Sequence, residues 1–149
     1  AQGETSDFVQ TTLGFVPKTH LAEIEALESD PASVAALFLE TPYLWGGNTH
    51  TGIDCSGLIQ AACLACGIPC PGDSDLQRDA LGSDLPAPSA YQRNDLLFWR
   101  GHVALICDEN SLIHANAGHM ATRFEAISDA IARIKAQGDG DPIAHKRLS

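Results

Sequence analysis

The sequence predicts an α+β fold, and three observations predict it. Apolar residues in the first half recur at helical spacing, whereas from Leu96 onward they fall into short runs separated by polar turns. The 149 residues, with 44% hydrophobic content, suit one compact domain that can bury a core without disulfide staples. Helices first and a sheet afterwards is the α+β arrangement, here with N-terminal helices packed on an antiparallel sheet.

In chain order, Phe8-Val9-Gln10 and Gly14-Phe15-Val16-Pro17 read as two strand fragments about a turn. Leu21, Ile24 and Leu27 follow at helical spacing, so residues 21–30 are expected to form a short helix. Asp30 as N-cap and Pro31 at the first helical position announce a second helix that runs through Val34 to Leu39 and ends at Thr41-Pro42. A third runs from Cys55 to a stop at Gly67. Residues 67–93 are dense in Gly, Pro, Asp and Ser and read as loop, with one short helix near Ser74 to Leu81. Strands are expected at Leu96–Trp99, Val103–Cys107, Ser111–Ala115 and Met120–Glu125, an antiparallel meander. Ile127, Ile131 and Ile134 mark a late helix, and Pro142–Leu148 a last edge strand.

The formal net charge of −10 disfavours nucleic acid and anionic membrane surfaces as partners. No stretch approaches the roughly 20 apolar residues of a spanning helix. Five cysteines without paired spacing argue against a disulfide scaffold and lean towards the cytoplasm as compartment, an exported or periplasmic location being the alternative. Cys63, Cys66 and Cys70 lack a second Cys/His pair at finger-like spacing, so neither metal nor cofactor is expected.

Cys55 stands apart from the other four cysteines. Gly52-Ile53-Asp54-Cys55-Ser56-Gly57-Leu58 delivers it to the first turn of a helix, where unpaired amide N–H groups and the helix dipole favour thiolate over thiol. A thiol nucleophile needs a base, and histidine suits that work near neutrality. Of six histidines, His20, His50, His119 and His145 fall in turns or near the ends and read as exposed, without special partners. His102 opens one strand and His114 lies in the next. If Cys107 pairs with Ser111, across the odd-numbered turn Asp108-Glu109-Asn110, both histidines share a face, one diagonal step of about 7–8 Å apart. A two-residue turn would put them on opposite faces.

These residues fall within six stretches that occur in the order of a known family. Tyr43-Leu44-Trp45-Gly46-Gly47, the Cys55 stretch, Asp73-Ser74-Asp75-Leu76-Gln77, Asn94-Asp95-Leu96-Leu97-Phe98-Trp99, His102-Val103-Ala104-Leu105-Ile106 and Leu112-Ile113-His114-Ala115 together resemble the NlpC/P60 cysteine peptidases. The resemblance spans residues 31–149. It implies a papain-like catalytic domain there, residues 1–20 as the remnant or edge of an SH3-type domain, and residues 21–30 as a linker helix. It also implies Cys55 as nucleophile, His102 as base and acid, His114 as its orienting group and Tyr43 as an oxyanion donor. Asp54 and Ser56 would capture a free N-terminal amine, with Trp45 and Ser74 completing the substrate-binding set.

The implied activity is hydrolysis of the γ-D-glutamyl to diamino acid bond, meso-diaminopimelate or lysine, in peptidoglycan stem peptides through an S-acyl enzyme. Its partner would be a peptidoglycan-derived peptide. An amidase or acyltransferase on the same fold, or a non-catalytic peptidoglycan-binding module, are the other readings. Two positions depart from the family pattern: Gly72, where many relatives have arginine, and Asn94, where they have glycine. The first puts one contact to a substrate carboxylate in doubt.

Overall fold

In a computed structural model of the chain, residues 3–4, 7–21 and 23–148 are described. The N-terminal fragments form a three-stranded antiparallel sheet, β1 (Gly3–Glu4), β2 (Phe8–Thr11) and β3 (Gly14–Pro17). β1 is a strand the sequence pattern did not announce. At the described residues of 21–30 the expected helix is not formed. A 3-10 turn, Lys18–His20, is followed by non-helical chain, and Leu21, Ile24 and Leu27 are 47%, 96% and 60% exposed. A lone segment of this length is below the roughly 12–15 residues an isolated helix needs, and these side chains stay largely exposed, Leu27 Cδ1 lying against Gly67. The segment is instead pinned by its backbone, Glu28 N–H donating to the Ala65 carbonyl.

Helix α1 (Pro31–Ala36) begins where Asp30-Pro31 placed it and is shorter than expected, relaxing into turns up to Glu40. Asp30 occupies the N-cap position, but its side chain caps no backbone amide: it holds the Arg93 guanidinium at 2.6 Å and accepts from Ser33 Oγ. The helix start is capped from elsewhere, by Asn94 Oδ1 at 2.9 Å from Ala32 N. Asn94 has φ 69°, the left-handed region that asparagine tolerates better than most residues. The glycine-to-asparagine departure therefore keeps the backbone and adds a cap.

Next come the small ladder β4 (Asn48–Thr49) and β5 (Gly52–Ile53), helix α2 (Cys55–Ala65), helix α3 (Ser74–Ala80) and the two-residue strand β6 (Ser83–Asp84). The meander follows as β7 (Asp95–Trp99), β8 (His102–Ile106), β9 (Ser111–Asn116) and β10 (Ala121–Ala126), then helix α4 (Ile127–Ala136) and β11 (Ala144–Arg147). These strands form one six-stranded antiparallel sheet, β10-β9-β8-β7-β11-β6. β11 is thus not the edge strand expected of it: Ser83-Asp84, inside the stretch read as loop, pairs along its outer side.

Period-2 alternation gives the sheet two buried faces. Leu96, Phe98, Val103, Leu105 and Ile113 pack with α1 and α2, while Leu97, Trp99, Ala104, Ile106 and Leu112 pack with Ile127, Ala130 and Ile134 of α4. His145, expected to be free, closes the far end by bonding Asp95 at 2.8 Å beside Arg147. Among the described residues no helix is long and apolar enough to cross a membrane.

Candidate active site

Cys55 is the first residue of α2, and the preceding segment is built to bring it there. Asp54 is the N-cap, its Oδ1 accepting from Gly57 N at 2.7 Å and Ser56 Oγ at 3.0 Å, and its Oδ2 from Gly46 N at 2.7 Å. A Cβ at Gly57 would lie 2.4 Å from the Gly47 carbonyl, so only glycine lets the helix start approach the Trp45-Gly46-Gly47 turn this closely. Tyr43 is stitched in by Tyr43 N to the Met120 carbonyl at 3.0 Å and by a parallel bridge to Ile53. Burial raises the pKa of its hydroxyl, with the Cys55 and Asp54 charges adding to the effect, which places the phenol in the field of the thiol.

The thiol departs from the expectation of a lowered pKa. Burial pushes Cys55 up to about 11, and Asp54 adds to the rise. The backbone amides of Val103, Ser56 and Cys55 itself act in the opposite direction without overcoming desolvation. The helix terminus is present as read; the packing of β8 over it was not visible locally.

The hairpin has the predicted odd turn. Cys107 N donates to the Ser111 carbonyl at 2.9 Å, and Leu105 pairs with Ile113. Continuing that register sets Ala104 opposite His114, so His102 and His114 share the α4 face. Their rings meet, His102 Nε2 lying 2.9 Å from His114 Nδ1. Beyond them His114 Nε2 contacts Glu125 Oε2 at 2.9 Å, and Arg133 of α4 grips both Glu125 oxygens, Nε to Oε1 at 3.0 Å and Nη2 to Oε2 at 2.7 Å.

This chain of contacts assigns the tautomers. Glu125, held down to about 2 by its His114 and Arg133 partners against its own burial, is ionised and can only accept. His114 Nε2 therefore carries a proton and, in the neutral ring, Nδ1 accepts. His102 Nε2 must then be the donor, which leaves His102 Nδ1 as a bare base. Burial is also the largest cause that lowers His102, to about 3, so the ring rests neutral.

Glu125 and Arg133 were not singled out by sequence. Parity alone could have found Glu125: Arg123 pairs with His114, so Glu125, two residues on, lies on the same face. Arg133 had no local signal.

Two cavities meet at Tyr43 and Gly101. One, about 450 Å³, holds Cys55 with Trp45, Asp54, Ser56 and Ser74; the other, about 190 Å³, holds His102 with Arg100 and Asn116. The structure thus gathers seven of the eight sequence-nominated residues in these two adjoining cavities and buries His114 behind them. Trp45 is 86% exposed on the rim. Buried Gln77 fastens the floor, donating Nε2 to the Ser56 and Pro71 carbonyls at 2.8 Å each. Among the described residues the only ion-sized cluster of possible ligands is His114, His119 and Glu125, and there Arg133 already neutralises the carboxylate.

Comparison with known proteins decides the family. The NlpC/P60 family model matches residues 40–133. The chain belongs to the NlpC/P60 family. It is 34% identical over 110 residues to dipeptidyl-peptidase 6 of Lysinibacillus sphaericus, covering 74% of this chain and 40% of that protein. It is 34% identical over 94 residues to the γ-D-glutamyl-L-lysine dipeptidyl-peptidase of Bacillus subtilis (strain 168), covering 58% of this chain and 31% of that one. The chain thus spans well under half the length of these relatives.

Among solved structures, the NlpC/P60 domain of the peptidoglycan hydrolase SagA superposes with TM-score 0.63 at 25% identity, covering 79% of this chain and 96% of that one. An NlpC/P60 family protein from Bacillus cereus ATCC 10987 gives TM-score 0.75 at 21% identity over 98% of this chain and 52% of that one, a likeness of fold. The α+β NlpC/P60 architecture follows.

Proposed function

We propose that this chain is a cysteine endopeptidase that hydrolyses the γ-D-glutamyl to diamino acid bond of peptidoglycan stem peptides. The observation that carries the reading is the His102–His114–Glu125 chain, which leaves His102 with one bare imidazole nitrogen, in a cavity that shares Tyr43 and Gly101 with the one that holds Cys55. The name of the B. subtilis relative supports the choice of bond.

In this reading His102 Nδ1 takes the Cys55 proton as the sulfur attacks the γ-carbonyl carbon. The carbonyl electron pair moves to oxygen, and the oxyanion accepts hydrogen bonds from the Tyr43 hydroxyl and the Cys55 N–H. Collapse of this adduct breaks the C–N bond, and the departing amine takes the proton from His102. The S-acyl enzyme remains. Water then attacks the thioester, again losing its proton to His102 Nδ1, and the free γ-carboxyl leaves as the thiol is restored. The leaving residue belongs on the His102 side, since the acid must reach its nitrogen; exposed Arg100 there offers a cation to its carboxylate. The acyl residue belongs in the Cys55 cavity, where Asp54 and Ser56 face an incoming N-terminal ammonium.

Incubation with L-Ala-γ-D-Glu-meso-diaminopimelate and with the L-Lys peptide, following release of the free diamino acid, tests the reading. Release by the wild type and none by Cys55→Ala is expected. Inactive wild type on both peptides defeats the substrate, and an active Cys55→Ala defeats the mechanism.

A further inference from the structure

The cavity on Cys55 carries charge of one sign. Its lining takes carboxylates from Asp54, Asp73 and Asp75 and contains neither lysine nor arginine. Asp54 is answered by three hydrogen-bond donors and Asp73 Oδ1 by Asp75 N. Asp75 contacts Arg78 at 3.3 Å, a partly exposed pair of little screening power whose cation stands outside the lining. The whole chain, at −10, supplies no compensating field.

That balance bears on a group every γ-glutamyl substrate must carry. A peptide bond made through the γ-carboxyl leaves the α-carboxyl of the same residue a short carbon chain from the carbonyl under attack, so it must enter the Cys55 cavity. As a carboxylate it meets Asp73 and Asp75, like charges that no cation of the lining offsets, since Asp54 is left to the substrate's own N-terminal ammonium. As a primary amide it is neutral and presents two N–H donors to the same oxygens. Resting on the γ-glutamyl reading above, we infer that this chain selects substrates whose D-glutamyl α-carboxyl is amidated, D-isoglutaminyl peptides, over those with the free carboxylate.

Gly72 gives the means to test the cause. Of the glycines lining the cavity, Gly46 and Gly101 hold φ of +74° and +70°, which disfavours any side chain. Gly72 is free of that restriction, and a Cβ there meets only the Gln60 amide end, at 3.5 Å, an ordinary contact. Gly72→Arg therefore installs a cation on the cavity wall without disturbing the catalytic set.

The experiment measures kcat/KM for L-Ala-γ-D-isoglutaminyl-L-Lys and L-Ala-γ-D-Glu-L-Lys, with wild type, Gly72→Arg and Asp73→Asn, each checked for the wild-type melting temperature. Wild type is expected to favour the amide by about tenfold or more, roughly the effect of one uncompensated like-charge contact. Both variants are expected to narrow the ratio, Gly72→Arg most, by raising the rate on the carboxylate peptide. Cleavage of both peptides with equal or better use of the carboxylate form overturns the inference and leaves the hydrolase reading standing. Cleavage of neither overturns that reading and the inference with it. An amide preference that Gly72→Arg leaves unchanged overturns the electrostatic origin.

Discussion

His102 Nε2 and His114 Nδ1 lie 2.9 Å apart, and the proton between them belongs to His102, because ionised Glu125 claims the one proton of His114 on its other nitrogen. The base is thereby aimed with Nδ1 free. Glu125 acts here as a positioning residue, reaching the cleft through two rings.

Glu125→Gln and Arg133→Gln are expected to shift the acid limb of kcat/KM in opposite directions. Burial is the main reason His102 sits low, at about 3; on top of it Arg133 lowers the ring's pKa and Glu125 raises it. Activity needs neutral His102, so removing Glu125 moves the limb to lower pH and removing Arg133 moves it to higher pH, each by roughly half a unit to one unit. Glu125→Gln should also lower the plateau, losing part of the roughly 100-fold to 10,000-fold that a well-aimed base contributes. Shifts in the same direction would sink the tautomer assignment.

Cys55 is expected to rest as a thiol. With its pKa pushed up to about 11 by burial and then by Asp54, alkylation by iodoacetamide, read at the Cys55 peptide by mass spectrometry, should rise close to tenfold per pH unit between about pH 7 and 10. Asp54→Asn keeps an N-cap and removes a charge, so it should react faster at every pH in that range. A rate constant across pH 5 to 8 would instead indicate a preformed ion pair and refute a resting thiol.

Asn94 is expected to matter twice over. Asn94→Gly keeps the left-handed backbone and loses the bond to Ala32 N, costing about 1 kcal/mol in urea unfolding. Asn94→Ala loses the same bond and strains a φ of 69°, costing about 2–3 kcal/mol. Equal midpoints for the two variants would show that the backbone conformation contributes nothing.

Much of the site was legible because its signals are local. A glycine-bearing turn before a helix marks Cys55, and strand parity across Asp108-Glu109-Asn110 puts both histidines on one face whatever the rest of the chain does. The apolar runs of β7 to β10 are equally local, since their spacing alone says strand. The same logic failed over residues 21–30, where the apolar side chains at helical spacing stay largely exposed, and at β11, whose outer partner is two polar residues in a loop.

By itself, then, the sequence determined the fold class, the family, and which two imidazoles stand together, because those follow from period, parity and motif order. Only the tertiary structure decided their chemical state. Burial under β8 makes Cys55 a thiol, and α4 folding back over the sheet brings Arg133 to Glu125 and so fixes the His102 proton. The start of α3 brings Asp73 and Asp75 to the Cys55 cavity and makes its wall acidic. Desolvation and charge depend on what lies within a few ångströms in space, and those neighbours come from parts of the chain that no local pattern connects.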